Sequence, residues 1–182
     1  RFEDKEIYDV DFFASQTIKD QEGTSTLSSV TTTYTYNTTD NRLDPSSGTD
    51  LSATWEFAGV GGTEKFSKYI LDSRHFWPWK WGTVFSAHGQ VGYVHALNGD
   101  SDDVPIDERF FLGGIYSLRG FESREVGPRD LFGDFIGGDT EAYFNFEYIF
   151  PLVKDLGLKG VTFFDVGNTW NSEDFWGEDD EA

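Results

Sequence analysis

The sequence predicts an all-β protein, part of an antiparallel transmembrane β-barrel with one long extracellular loop folded inward. Three observations predict it: a strand-like composition, a period-two alternation of apolar and polar residues, and connections that alternate in character along the chain. Aromatic residues make up 18% of the 182, and 20 glycines stand against only 5 prolines. That balance suits many strands joined by turns and not a helical bundle.

The alternation places seven strands near residues 5–17, 25–38, 48–58, 66–77, 83–95, 140–150 and 158–170, most of them long enough for a tilted membrane strand of about 9–11 residues. In the third, Leu51, Ala53, Trp55 and Phe57 share one face and Ser52, Thr54 and Glu56 the other. In the fifth, Phe85, Ala87, Val91 and Tyr93 oppose Ser86, His88 and Gln90; in the sixth, Ala142, Phe144, Phe146 and Tyr148 oppose Tyr143, Asn145 and Glu147. Periodicity alone does not say whether the apolar face meets a core or lipid.

The connections point to lipid. Pro151 to Gly157 is short, 97–138 is very long and Pro78 to Gly82 is short again. Gly59 to Glu64 and the turn Asp40 to Gly48 continue the series with less contrast. Short periplasmic turns and longer external loops have this arrangement. Trp77, Trp79 and Trp81 cluster at a short turn, where an interfacial aromatic girdle is expected, although a packed corner of a soluble domain would read the same way. Mean hydropathy is negative and no stretch has the length of a spanning helix, which leaves a barrel open because its two faces average out.

The long loop divides in two. Asn98 to Glu108 is acidic and reads as solvated, whereas Phe110, Phe111, Leu112, Ile115, Tyr116, Leu118 and Phe121 imply burial, so the loop is expected to fold back into the barrel. A loop arginine entering the lumen, Arg119, needs carboxylate partners there. Glu147 lies on the polar face of its strand, and Asp165, between Phe164 and Val166, points the same way, so two carboxylates can grip one planar guanidinium. On alternation alone the three read more simply as ordinary lumen polar groups and a loop charge.

Other functions find little support. A net charge of −19 leaves no cationic excess for nucleic acid, and the absence of cysteine excludes disulfides and thiolate metal sites. His75, His88 and His95 lie in strands without metal-ligand spacing, and no Gly-x-Ser-x-Gly elbow occurs. His88 beside Ser86 and Gln90 hints at an outer-membrane lipase but reads more simply as lumen lining. The acidic runs Asp100 to Asp103 and Glu173 to Glu181 lack a calcium-loop pattern. No enzyme, cofactor or metal is expected. Arg1 is followed by no positive and apolar leader, so a signal peptide is expected upstream or already removed, and the chain reads as an excerpt.

Four motifs in order carry a resemblance. Phe111-Leu112-Gly113-Gly114 and Ser117-Leu118-Arg119-Gly120-Phe121 resemble the sixth extracellular loop of the BamA/TamA-type β-barrel superfamily, with its Val/Leu-Arg-Gly-Phe/Tyr tetrad. Gly127-Pro128 with Gly137-Gly138, then Phe163-Phe164-Asp165-Val166-Gly167, and upstream Asp40-Asn41-Arg42 with Pro45-Ser46-Ser47-Gly48 are similar to the family's other signatures.

The resemblance implies an outer-membrane assembly factor that folds and inserts barrel proteins, acting on unfolded β-barrel clients amid outer-membrane lipids and with periplasmic lipoproteins. It implies a sixteen-stranded barrel preceded by POTRA domains. Residues 1–182 would be the C-terminal part of it, with a lid loop at 97–139, stopping before the last two strands. An incoming strand would add at a weak seam between first and last strands, neither of them expected in this chain. Leu118, Arg119, Gly120 and Phe121 would be the lid motif, with Phe121 an apolar anchor and Gly120 permitting a tight tip. Glu147 and Asp165 would hold the arginine, supported by Gly113, Gly114, Phe163 and Gly167, the first two allowing close approach to the wall. Alternatives are a two-partner secretion or TamA-type translocation barrel, or a passive porin.

Overall fold

In the computed structural model, residues 1–8, 19, 21–99 and 103–172 are described. Among these described residues seven strands run in chain order: β1 (Phe2–Ile7), β2 (Gly23–Asn37), β3 (Gly48–Ala58), β4 (Phe66–Pro78), β5 (Val84–Ala96), β6 (Thr140–Val153) and β7 (Leu158–Trp170). Each pairs antiparallel with the next, giving one sheet ordered β1-β2-β3-β4-β5-β6-β7 that, among the described residues, does not close on itself.

The boundaries of β3 and β7 coincide with those the alternation predicts. β1 starts earlier than expected, at Phe2, and ends at Ile7; residues 9–17 of the expected first strand lie outside the described residues. β6 continues past residue 150 to Val153; Pro151 keeps Lys159 as its register partner, and a register irregularity follows it, between Pro151 and Val153.

Register fixes the two faces. Ser86 pairs with Glu147 and His88 with Asn145 across β5 and β6, and Asn145 in turn with Asp165 on β7, so the polar residues of adjacent strands line one surface. Ser86, His88, Glu141, Asn145 and Thr169 on that surface are buried. The opposite surface carries Trp55, Tyr69, Leu71, Val91, Tyr93, Phe144, Phe146, Phe164 and Val166, all exposed. The inner face thus joins these polar groups to an apolar patch of Leu27, Phe66 and Val94, whereas the outer face is exposed and greasy, which inverts a soluble sandwich and matches a wall whose solvent is hydrocarbon.

Aromatic residues gather at both ends of that outer surface. Toward the turn between β4 and β5, His75 and Trp77 lie 4.1 Å apart and Phe85 and Tyr148 4.8 Å apart, with Trp79 set edge-on to Phe85 at 6.0 Å. Toward the other end His95 stacks with Tyr69 and Tyr93. Between them lie Leu71, Val91 and Phe144, forming an apolar band flanked by amphipathic rings.

The loop between β5 and β6 folds against the polar face. Its arms approach each other through bridges Phe110–Gly138, Leu112–Val126 and Arg129–Phe135. Phe110 and Val104 pack with Leu27, Ala58, Phe66 and Val94 in one cluster, while Leu112 and Leu118 pack with Tyr143 in a second. Two parts of the loop depart from what the sequence predicts. Ile115, Tyr116 and Phe121 are 75%, 86% and 59% exposed, because at the tip it is Leu118 that packs on the wall, while Ile115 and Tyr116 border an open cavity beside it. In the acidic arm, Val104 and Glu108 are buried and not solvated, since that arm lies along the wall; Asp100–Asp102 and Glu173–Glu181 lie outside the described residues.

Candidate functional site

The tip of the loop is stapled before it meets the wall. The Ser117 hydroxyl donates to the Gly113 carbonyl (3.1 Å) and accepts the Gly113 amide (2.9 Å), and the Gly114 amide donates to the Phe121 carbonyl (3.0 Å). Gly113 has φ +114°, and a Cβ there would stand 2.1 Å from the Glu122 carbonyl oxygen, so only glycine fits. The close approach at Gly113 is therefore loop against loop, where closeness to the wall was expected. Gly120 also takes a positive φ, which turns the chain immediately after Arg119.

Arg119 then reaches β6 and β7. Its Nε donates to Asp165 Oδ2 (2.7 Å) and its Nη2 to Asp165 Oδ1 (2.6 Å), a two-pronged fork on one carboxylate. Nη1 donates to Glu147 Oε1 (2.6 Å), and the Arg119 backbone amide donates to Asp165 Oδ2 (3.0 Å). The guanidinium carbon lies 3.8 Å from the centre of the Phe163 ring, so cation–π attraction adds to the pairing. Glu147 pairs in register with Phe163 and Asn145 with Asp165, so the two carboxylates stand diagonally on adjacent strands, two positions apart, with the ring level with Glu147.

Phe163 and Gly167 support this arrangement in different ways. Phe163 forms the floor under the guanidinium. Gly167 is opposite Tyr143, and a Cβ at 167 would stand 2.4 Å from the Tyr143 Cβ, so the missing side chain is the space that lets Tyr143 pack on Leu112 and Leu118. Phe121 does not join the lock within this chain; it is exposed, and the aromatic partner of Arg119 is Phe163.

Periodicity did not single out a second group of contacts. The Asn145 amide donates to the Ser117 carbonyl (2.5 Å), a direct strut from wall to loop. Asn145 Oδ1 lies 3.0 Å from His88 Nδ1, and His88 Nε2 lies 2.6 Å from Asp72 Oδ2. Both imidazole nitrogens are thus engaged within the wall, by Asn145 and Asp72, and neither has a serine hydroxyl as its partner. Asn145 was visible as a lumen residue, but only register places it between Ser117 and His88. A cavity of about 250 Å³ opens below the tip, lined by Arg74, Ser86, His88, Arg119 and Glu147 among others.

The short turn between β2 and β3 is organised by a different carboxylate. Asp40 accepts the amides of Asn41, Ser46 and Ser47 and the Ser46 hydroxyl, and these bonds hold its carboxyl far below the usual carboxylate range. The Asp40-Asn41-Arg42 and Pro45-Ser46-Ser47-Gly48 motif thus builds its own turn, and Asp44 within it ties the turn to Lys159 on β7.

A polar-lined antiparallel wall with a long loop folded onto it and clasped by a buried carboxylate defines an outer-membrane β-barrel wall of the loop-filled type. Residues 2–179 match the Omp85 superfamily domain, and the chain belongs to that superfamily. It is 38% identical over its whole length to the outer membrane protein assembly factor BamA of Nitratidesulfovibrio vulgaris, of which it covers 23%. It is 32% identical to a SAM50-like protein of Schizosaccharomyces pombe over 78% of the chain and 30% of that protein. Among solved structures, BamA from Haemophilus ducreyi lacking POTRA domains 1–3 superposes with a TM-score of 0.77 at 21% identity, covering 86% of this chain and 32% of that one, and shares its fold. The chain thus spans about a quarter to a third of the length of these relatives.

Proposed function

We propose that this chain belongs to an outer-membrane protein assembly factor that folds and inserts β-barrel clients, with residues 1–182 as the C-terminal part of the barrel domain and residues 97–139 as its lid loop. The observation that carries the reading is the Arg119 fork on Asp165 and Glu147, in a chain 38% identical to a protein named for this activity.

In this reading the chemistry is not enzymatic. The loop fills the lumen with Phe110, Leu112 and Leu118 packed on the wall, which suits a lid and argues against a passive pore. Leu118, Arg119, Gly120 and Phe121 form the lid motif, and Glu147 and Asp165 are its lumenal partners. Clients are unfolded β-barrel proteins amid outer-membrane lipids, with periplasmic lipoproteins as accessory partners. The work of insertion draws on the free energy of the client's own closure: each strand that pairs satisfies backbone groups that lipid cannot.

The test is to reconstitute the full-length protein in liposomes and time the folding of a urea-unfolded client porin. Acceleration over empty liposomes, lost on Arg119→Ala, supports the reading. Folding no faster than in empty liposomes overturns it, and steady ion conductance in its place marks a channel.

A further inference from the structure

The loop touches the wall through charge at a second place. Glu108 is 3% exposed, yet it is an ionisable side chain in a chain with 33 acidic and only 14 basic residues. Three of those scarce cations converge on it. Arg1 Nη1 lies 3.0 Å and Lys5 Nζ 3.7 Å from its Oε1, and Lys68 Nζ lies 3.2 Å from its Oε2. Lys68 also donates to the Glu108 carbonyl (2.8 Å) and sits 5.0 Å from the centre of the Phe110 ring. A carboxylate buried to this degree is strongly unfavourable unless paired, so the convergence is a requirement of the fold at that spot.

The geography differs from that of Arg119. Arg1 and Lys5 lie at β1 and Lys68 on β4, where it pairs in register with Glu56 and Val94, near the end of the sheet from which the loop departs. Asp165 and Glu147 lie nearer the middle of β7 and β6. The sign is also reversed: at Arg119 the loop brings the cation and the wall the anions, whereas at Glu108 the loop brings the anion and the wall the cations.

We propose that Glu108 is a second anchoring residue of the lid loop, fixing its root to β1 and β4 independently of the Arg119 lock on β6 and β7. The inference rests on reading this loop as a lid. The segment from 108 to 119 is a strap between two sides of the wall, with Phe110 and Leu112 packed beneath it. Opening the Arg119 lock frees the tip, and the root stays where it is. Glu108 acts through the position of the loop and is a positioning residue.

The experiment is hydrogen–deuterium exchange on the full-length protein in liposomes. Arg119→Ala speeds exchange in residues 113–125 and leaves 103–112 protected. Glu108→Gln, which keeps shape and removes charge, speeds exchange in 103–112 by about tenfold or more, as loss of one partner in a buried charged cluster implies. Glu108→Asp restores most of the protection. Lys68→Gln approaches the same contact from the wall, and combining it with Glu108→Gln adds less than the sum of the two, because they share one interaction. Unchanged exchange at 103–112 in both Glu108→Gln and Lys68→Gln overturns the proposal, as does release of the entire loop by Arg119→Ala alone. Failure of the assembly reading appears elsewhere, in wild-type liposomes that do not speed client folding, and leaves the exchange result intact.

Discussion

Arg119 and Asp165 meet through three hydrogen bonds, two from the guanidinium fork and one from the Arg119 backbone amide. The carboxylate therefore reads both the side chain and the main-chain position of the loop tip, while Glu147 contacts only the remaining guanidinium nitrogen.

That asymmetry ranks the two wall carboxylates. Asp165→Asn is expected to weaken tip docking by about 1.5–3 kcal/mol, the range for hydrogen bonds to a charged group. Glu147→Gln is expected to cost less. Protease cleavage within 113–125 in intact liposomes measures both, and equal sensitivity of the two variants would contradict the ranking.

Charge alone does not reproduce the lock. Arg119→Lys keeps the positive charge but cannot span both oxygens of Asp165 while reaching Glu147 and lying flat on Phe163. Its client-folding rate is expected to fall closer to Arg119→Ala than to wild type; a rate within twofold of wild type would show that simple charge suffices.

The outer surface tests which solvent it meets. Leu71→Arg places a cation in the middle of the apolar band and is expected to cost about 2–4 kcal/mol of folding in bilayers. Leu71→Phe is expected to be nearly neutral. Comparing urea midpoints of folding into liposomes reads the difference, and similar midpoints would argue against lipid contact at this strand.

The turn at Asp40 carries a pH signature. Its carboxyl is depressed in the folded state, so the stabilisation is present above the ordinary Asp range and disappears as pH falls toward the folded value. The amide resonances of Ser46 and Ser47 are expected to hold their folded positions as pH drops through the range where a free Asp protonates. Asp40→Asn keeps the size and loses the charge, and the same resonances are then expected to move at neutral pH.

Gly167 sets how closely β6 and β7 carry their side chains. Gly167→Ala brings a methyl against Tyr143 and is expected to destabilise by about 1–3 kcal/mol through overpacking. A lowered melting temperature with slower client folding checks it; an unchanged melting temperature would show that Tyr143 moves aside freely.

Local chemistry determined much of this molecule. A side-chain period of two is a property of the strand itself, so the span of β3 and of β7, and the common face of Ser86 and His88 or of Asn145 and Glu147, follow from the residues in order. The inward-folding loop is foreshadowed the same way, since Phe110, Leu112 and Leu118 are too apolar to stand in water. Parity also made Glu147 and Asp165 available to a loop cation. What parity lacks is register and distance. Only pairing across strands decided that Phe163 lies under the guanidinium, that Asn145 reaches Ser117 and His88 at once, and that Phe121 stays outside. Glu108 is the clearest case: among Asp100, Asp102, Asp103 and Asp107 it reads as one more solvated acid, and its burial depends on cations from Arg1, Lys5 and Lys68, up to 107 positions away. Coulomb attraction acts through space, and the chain's order does not record which charges the folded wall brings together.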